Sequence, residues 1–175
     1  MSLPSNSRQT DPAATIPIVA AWAEGITPIA AFDAALTRAG VGDVNLVSLS
    51  SIIPPAHSVR RVEPTSVAQD KGLAFGNLTF CVLAEQRARS GSVAAGLGWV
   101  ADRSGRGGLF LEGHGPDAAV VERELREGLV EMMALRPQFD FGEPDFEIVS
   151  GQASGPSCAL VVAIFESRLF TSPHE

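Results

Sequence analysis

The chain has 175 residues, 45% of them hydrophobic, two cysteines and a formal net charge of −7. That length suits one ordinary domain with a sizeable core, and that apolar share excludes a disordered chain. The acidic balance argues against a nucleic-acid partner, for which a basic face supplies most of the affinity, and no apolar run is long enough to span a bilayer.

Residues 1–15 are rich in Ser, Pro and Asn and are expected to form a flexible lead before a single domain over 16–175. The lead lacks the apolar stretch of a signal peptide, which points to a cytoplasmic protein. Residues 16–22 form a short apolar run that suits a buried strand. Thr27-Pro28 opens a helix: Thr is a good N-cap, and Pro at the first helical position loses no needed hydrogen bond. Ile29, Phe32 and Leu36 follow at helical spacing, and Gly40 ends the element. Asp33 lies about 100° round from Phe32, at the margin of the apolar stripe. Residues 44–50 alternate into a strand, stopped by Pro54-Pro55.

Residues 56–71 are polar and mixed, with a turn signal at Glu63-Pro64-Thr65-Ser66, and read as an extended segment and loop. Residues 73–84 and 92–101 are strands joined by a turn at 87–91, and a second turn at 102–108 leads into a strand over 109–112. The spacing favours antiparallel hairpins. Pro116-Asp117 opens a second helix, with Val121, Leu125, Leu129 and Met132 as its stripe and Pro137 as its stop. His114, alone between two glycines, reads as a turn residue. Strands at 146–149 and 158–165 close the chain, across a Gly- and Ser-rich link at 150–157. Strands with two principal helices and no repeated βα unit give an α+β class with mainly antiparallel sheets. Cys81 and Cys158 sit in apolar runs and read as buried thiols. There is no Cys-x-x-Cys and the three histidines are scattered, so no metal site is expected.

The chemistry-bearing feature is the adjacent pair Ser50-Ser51 at the end of the 44–50 strand. The Ser51 hydroxyl is one residue from the Ser50 carbonyl. In a strained, water-poor setting it can attack its own preceding peptide bond.

Residues 24–55, which include Thr27-Pro28, Phe32-Asp33, Gly40, Asn45 and Ser50-Ser51-Ile-Ile-Pro54-Pro55, resemble the pyruvoyl-dependent arginine decarboxylases. Gly107-Gly-Leu-Phe-Leu-Glu112-Gly-His-Gly115 resembles a later strand of the same family, which carries an acidic residue. Together the two blocks place the chain from about Trp22 to Phe165 on that family, with the first block the more specific. The resemblance implies an αββα sandwich assembled as a homotrimer or a dimer of trimers. It also implies cleavage between Ser50 and Ser51, conversion of Ser51 to a pyruvoyl group, and decarboxylation of L-arginine to agmatine. The pyruvoyl ketone would then condense with the amine of a small-molecule amino-acid substrate and take up the electrons released with carbon dioxide.

Site roles follow from the same resemblance. Asn45 contacts the Ser50 carbonyl or the later pyruvoyl group; the residue alone also reads as a turn Asn. Glu112, closing the apolar Leu109-Phe110-Leu111, protonates the carbanion; partial desolvation would raise its pKa toward donor range, and an exposed strand-end Glu is the plainer reading. Asp33 binds the guanidinium from a neighbouring subunit; it reads equally as a helix-surface Asp. The only lysine, Lys71, lies in a polar stretch that lacks the setting of a pyridoxal Schiff base. Three other readings stand beside this one: the same chemistry on another amino acid, a hydrolase with a freed N-terminal Ser51, and an uncleaved trimeric scaffold or regulatory homologue.

Overall fold

A computed structural model describes residues 14–170, so most of the expected N-terminal lead lies outside the described residues. Two β-sheets pack face to face between helical layers. The first sheet has the order β2-β5-β9-β1-β4, and the second β3-β7-β6-β8. In chain order the elements begin with β1 (Ala14–Glu24), α1 (Pro28–Arg38), β2 (Asn45–Ser48), β3 (Ile52–Ile53), β4 (His57–Arg61) and α2 (Pro64–Lys71). They continue with β5 (Leu78–Ala88), β6 (Gly91–Ala101), β7 (Gly108–Gly115), α3 (Ala118–Ala134), β8 (Asp145–Ala153) and β9 (Ser157–Arg168).

Both expected helices form for the expected reasons. The Thr27 hydroxyl accepts from the Ala30 N–H at 3.1 Å, and the Asp117 carboxylate accepts from Ala119 and Val120. Each satisfies orphan donors of a first turn. α1 and α2 cover the outer face of the first sheet, burying Ala31, Ala35 and Val67 against Val19, Leu160 and Val162. α3 covers the second sheet with Val121, Leu125 and Leu129. Between the sheets, Ile18, Val82, Leu97, Phe110 and Val161 form the central core. Each such large side chain contributes about 1.5–3 kcal/mol on burial. The layers therefore run helix, sheet, sheet, helix, the αββα sandwich that the resemblance implied.

Three expectations need correction. The 56–71 segment begins extended as expected, as strand β4, but its second half is helix α2 and not loop. α2 starts on Pro64 and stops at Gly72, whose φ of 60° is the left-handed cap. It buries only Val67, so it shows no apolar stripe. Its Lys71 ammonium donates to the carbonyls of Thr15 at 2.7 Å and Phe165 at 3.0 Å, tying β1 to β9. Burial lowers the pKa of that lysine. Second, β5 and β6 do not pair as a hairpin, although β6 and β7 do. The short link around Gly91 (φ 93°) carries the chain from one sheet to the other. β6 is buried along almost its whole length because it is covered on both faces, so it lacks the alternation of a one-sided strand. Third, His114 lies within β7, opposite Ala95, and not in a turn. Smaller shifts are that β5 begins only after the turn at Gly76 (φ 81°), and that β8 runs on into the link expected at 150–157.

Cys81 and Cys158 are both buried and unpaired, and burial pushes their thiols up to about 11 and about 12.

Candidate active site

The Ser50-Ser51 bond lies where the chain leaves one sheet for the other. β2 runs parallel to β5, and the pairing ends with the Leu49 N–H on the Cys81 carbonyl at 2.8 Å. Three residues later β3 pairs with β7 in the second sheet, Ile52 opposite Leu109 and Ile53 opposite Gly108. The serines bridge this gap. Ser50 is exposed and Ser51 half-buried.

Three hydrogen bonds hold the junction. The Phe110 N–H donates to the Ser51 carbonyl at 2.8 Å. The Ile52 N–H donates to the Ser50 carbonyl at 2.6 Å, closing a three-residue turn centred on Ser51. The Ser51 hydroxyl donates to the Glu112 carboxylate, with both oxygens 2.8 Å from Oγ. Strand alternation explains this third bond. Phe110 fills the core between the sheets, so Glu112, two residues on, faces the same side. There it meets the junction as the chain crosses.

The segment after the junction is braced. Pro54 to His57 make a turn, with the His57 N–H 3.3 Å from the Pro54 carbonyl and Ala56 at φ 58°. Ala56 donates to the Gly105 carbonyl at 3.0 Å and accepts from Ala14 at 3.1 Å. Gly107 (φ 118°) passes so close that an added Cβ would lie 2.6 Å from the Ile53 carbonyl oxygen. This 102–107 turn is built on Asp102, which sequence reasoning passed over as part of a turn. Its buried carboxylate accepts from the N–H groups of Ser104, Arg106 and Asp140 at 3.1, 3.2 and 2.8 Å. It also takes the Ser104 hydroxyl and the Arg106 guanidinium, the latter at 2.9 Å. The guanidinium, first, and these other donors hold its pKa well below the usual carboxylate range. The signal in the sequence was an aspartate at the head of a Gly-rich turn, where short carboxylates bond the backbone ahead of them.

Of the residues that the sequence singled out, Ser50, Ser51 and Glu112 come together within one chain. Asn45 does not join them there. It begins β2, its amide donates to the Gly76 carbonyl at 2.9 Å, and about 13 Å of strand separates it from Leu49. Asp33 is exposed on α1 and forms no ion pair among the described residues. Its neighbour Phe32 is capped by the Arg87 guanidinium, 3.8 Å above the ring. Leu49 and Pro54, on either side of the serines, line an open cleft of about 360 Å³ with His57, Phe80, Phe165, Glu166 and Arg168. Among the described residues no group of three His, Cys, Asp or Glu side chains is placed to hold a metal ion, and no helix is long and apolar enough to cross a membrane.

Comparison with known proteins finds one family. The sequence model of the family described as pyruvoyl-dependent arginine decarboxylase matches residues 15–168. A protein of that name from Halobacterium salinarum is 36% identical over 152 residues, covering 83% of this chain and 91% of the relative. One from Thermococcus kodakarensis is 31% identical over 150 residues, covering 84% and 91%. One from Methanocaldococcus jannaschii is 56% identical over a shorter stretch of 41 residues.

Proposed function

The chain belongs to the pyruvoyl-dependent arginine decarboxylase family, and on that premise we propose that it severs its own Ser50-Ser51 bond and then decarboxylates L-arginine to agmatine. One observation carries the reading: the Ser51 hydroxyl is hydrogen-bonded to the Glu112 carboxylate at the crossing between the sheets.

Processing uses the chain's own groups. Glu112 takes the proton from Ser51 Oγ as the oxygen attacks the Ser50 carbonyl carbon. The C–N bond then breaks and the proton passes to the Ser51 nitrogen, leaving an ester in place of the amide. Loss of the Ser51 α-proton expels Ser50 as a free carboxylate and leaves dehydroalanine at residue 51. Addition of water and release of ammonia complete a pyruvoyl group there. Ser51 fits that fate in that its side chain already faces a base. Ser50 is exposed, so the water-poor setting expected for the attack is not met within the single chain, and the exposure leaves the later hydrolysis open to water.

The pyruvoyl group supplies a ketone and adjacent carbonyl that act as an electron sink when carbon dioxide leaves. Glu112, bound to the side chain of residue 51 before cleavage, then delivers a proton to the carbon that has lost carbon dioxide. The cleft beside Leu49 and Pro54 offers room for the substrate. Asp33 and Asn45 are exposed, so both are assigned to sites completed by a neighbouring copy, Asp33 on the guanidinium and Asn45 on the group at residue 51. That assignment requires a second copy of the chain; a trimer, or a dimer of trimers, in the cytoplasm is the assembly that the family resemblance implies.

The two pieces remain joined after cleavage because the N-terminal one carries β1. That strand lies inside the first sheet, between β9 and β4, and its Ile16, Ile18 and Val19 are fully buried. The test is Ser51→Ala: the protein should stay whole and inactive, whereas an Ser51→Ala chain that still splits after residue 50 refutes the mechanism.

A further inference from the structure

We propose that the backbone N–H of Ile52 is the oxyanion donor for self-cleavage, a role that rests on the processing proposed above. Attack on the Ser50 carbonyl moves the carbonyl electron pair onto its oxygen, and that charge needs a donor already in place. The Ile52 N–H is 2.6 Å from this oxygen. No side chain among the described residues donates to it, and the amide of Asn45 is engaged at the far end of β2.

The topology explains why this N–H is free. In an antiparallel ladder alternate residues bond the partner strand. Ser51 is bonded to Phe110, so Ile52, its neighbour opposite Leu109, is a non-bonded position whose N–H points away from β7. β3 is the edge of its sheet, so no strand lies on that side to take it. The N–H turns back on Ser50 and closes the turn around Ser51. The edge position of a two-residue strand thus supplies the donor.

The step balances within the chain. The Oγ–C bond forms, the Oγ proton goes to Glu112, and the carbonyl π pair becomes the oxyanion under the Ile52 N–H. That pair returns as the C–N bond breaks, and the proton moves to the Ser51 nitrogen. A hydrogen bond to the charged oxygen is stronger than one to the neutral carbonyl, so the donor stabilises the transition state more than the ground state.

The test replaces one atom. The full chain is made by cell-free synthesis with the α-hydroxy analogue of isoleucine at position 52, which puts an ester oxygen where the N–H stood. A second chain carries the same replacement at Ile53, opposite Gly108 at a bonded position of the ladder, as a control for weakening the β3–β7 pairing. Cleavage is followed over time by denaturing electrophoresis, and folding is checked by circular dichroism with Ser51→Ala added. Losing one oxyanion donor should slow cleavage about 10²–10³-fold at position 52, with a much smaller effect at position 53. Equal slowing at both positions, or none at 52, overturns the donor role. An unaltered chain that never splits overturns the processing reading itself.

Discussion

The Ser51 hydroxyl donates to the Glu112 carboxylate at 2.8 Å across 61 residues of sequence. β2, β3 and β7 each contribute one condition for that contact. β2 delivers the serines to the sheet boundary, β3 clamps the downstream backbone, and β7 turns Glu112 to the inner face. Glu112→Gln keeps the size and loses the base. It should slow both cleavage and arginine turnover by about 10²–10⁴-fold, the range for a positioned proton carrier. Cleavage time courses and carbon dioxide release from the cleaved fraction measure the two effects separately. Unchanged rates in both assays would remove Glu112 from the chemistry.

Asp33→Ala should raise the apparent KM for arginine by at least about tenfold, since a charged hydrogen bond contributes about 1.5–3 kcal/mol, while self-cleavage continues. The measurement is steady-state kinetics on assembled enzyme. Unchanged arginine kinetics would move guanidinium recognition elsewhere, with Glu166 in the cleft as the next residue to test.

How much of this was legible in the sequence differs by element. α1 and α3 were, because Thr27 and Asp117 cap amphipathic runs. α2 was not, because a helix that buries only Val67 has no periodic stripe; Pro64 and Gly72 were its only marks. β5 and β6 were legible as strands but not as members of different sheets, since two covered faces erase the alternation that reveals orientation. At the site, the serine pair stood out by its place at a strand end and Glu112 by family resemblance, and only the fold brings them into contact. The Ile52 donor depends on β3 being an edge, which no local pattern encodes.

Asp102 should support the fold with a definite pH dependence. Its folded pKa is depressed, so its contribution is present above the unfolded carboxylate value, about 3.9, and disappears as pH falls through the lower folded value. Asp102→Asn should therefore unfold at lower temperature than the parent at pH 7. The gap should persist to about pH 4 and close below it. Thermal unfolding of Ser51→Ala chains across that range measures it. A gap that widens in acid would contradict the assignment.

Gly151 on β8 packs against Trp22 on β1, and an added Cβ would lie 2.0 Å from the indole nitrogen. The two residues fall on opposite sides of the cleavage point. Gly151→Ala should destabilise the uncleaved protein by about 1–3 kcal/mol, the usual cost of overpacking. In cleaved enzyme it should also loosen the 1–50 piece. Denaturant unfolding and co-purification of the two pieces report these effects; unaltered stability would show that the sheets can separate there without cost.

The most direct test of the whole account is the mass of the purified protein under denaturing conditions. Self-processing predicts two fragments divided after Ser50, the larger lighter than a plain hydrolysis product by the difference between an N-terminal serine and a pyruvoyl group. A single intact mass, or a fragment that begins with an unmodified serine, would contradict it.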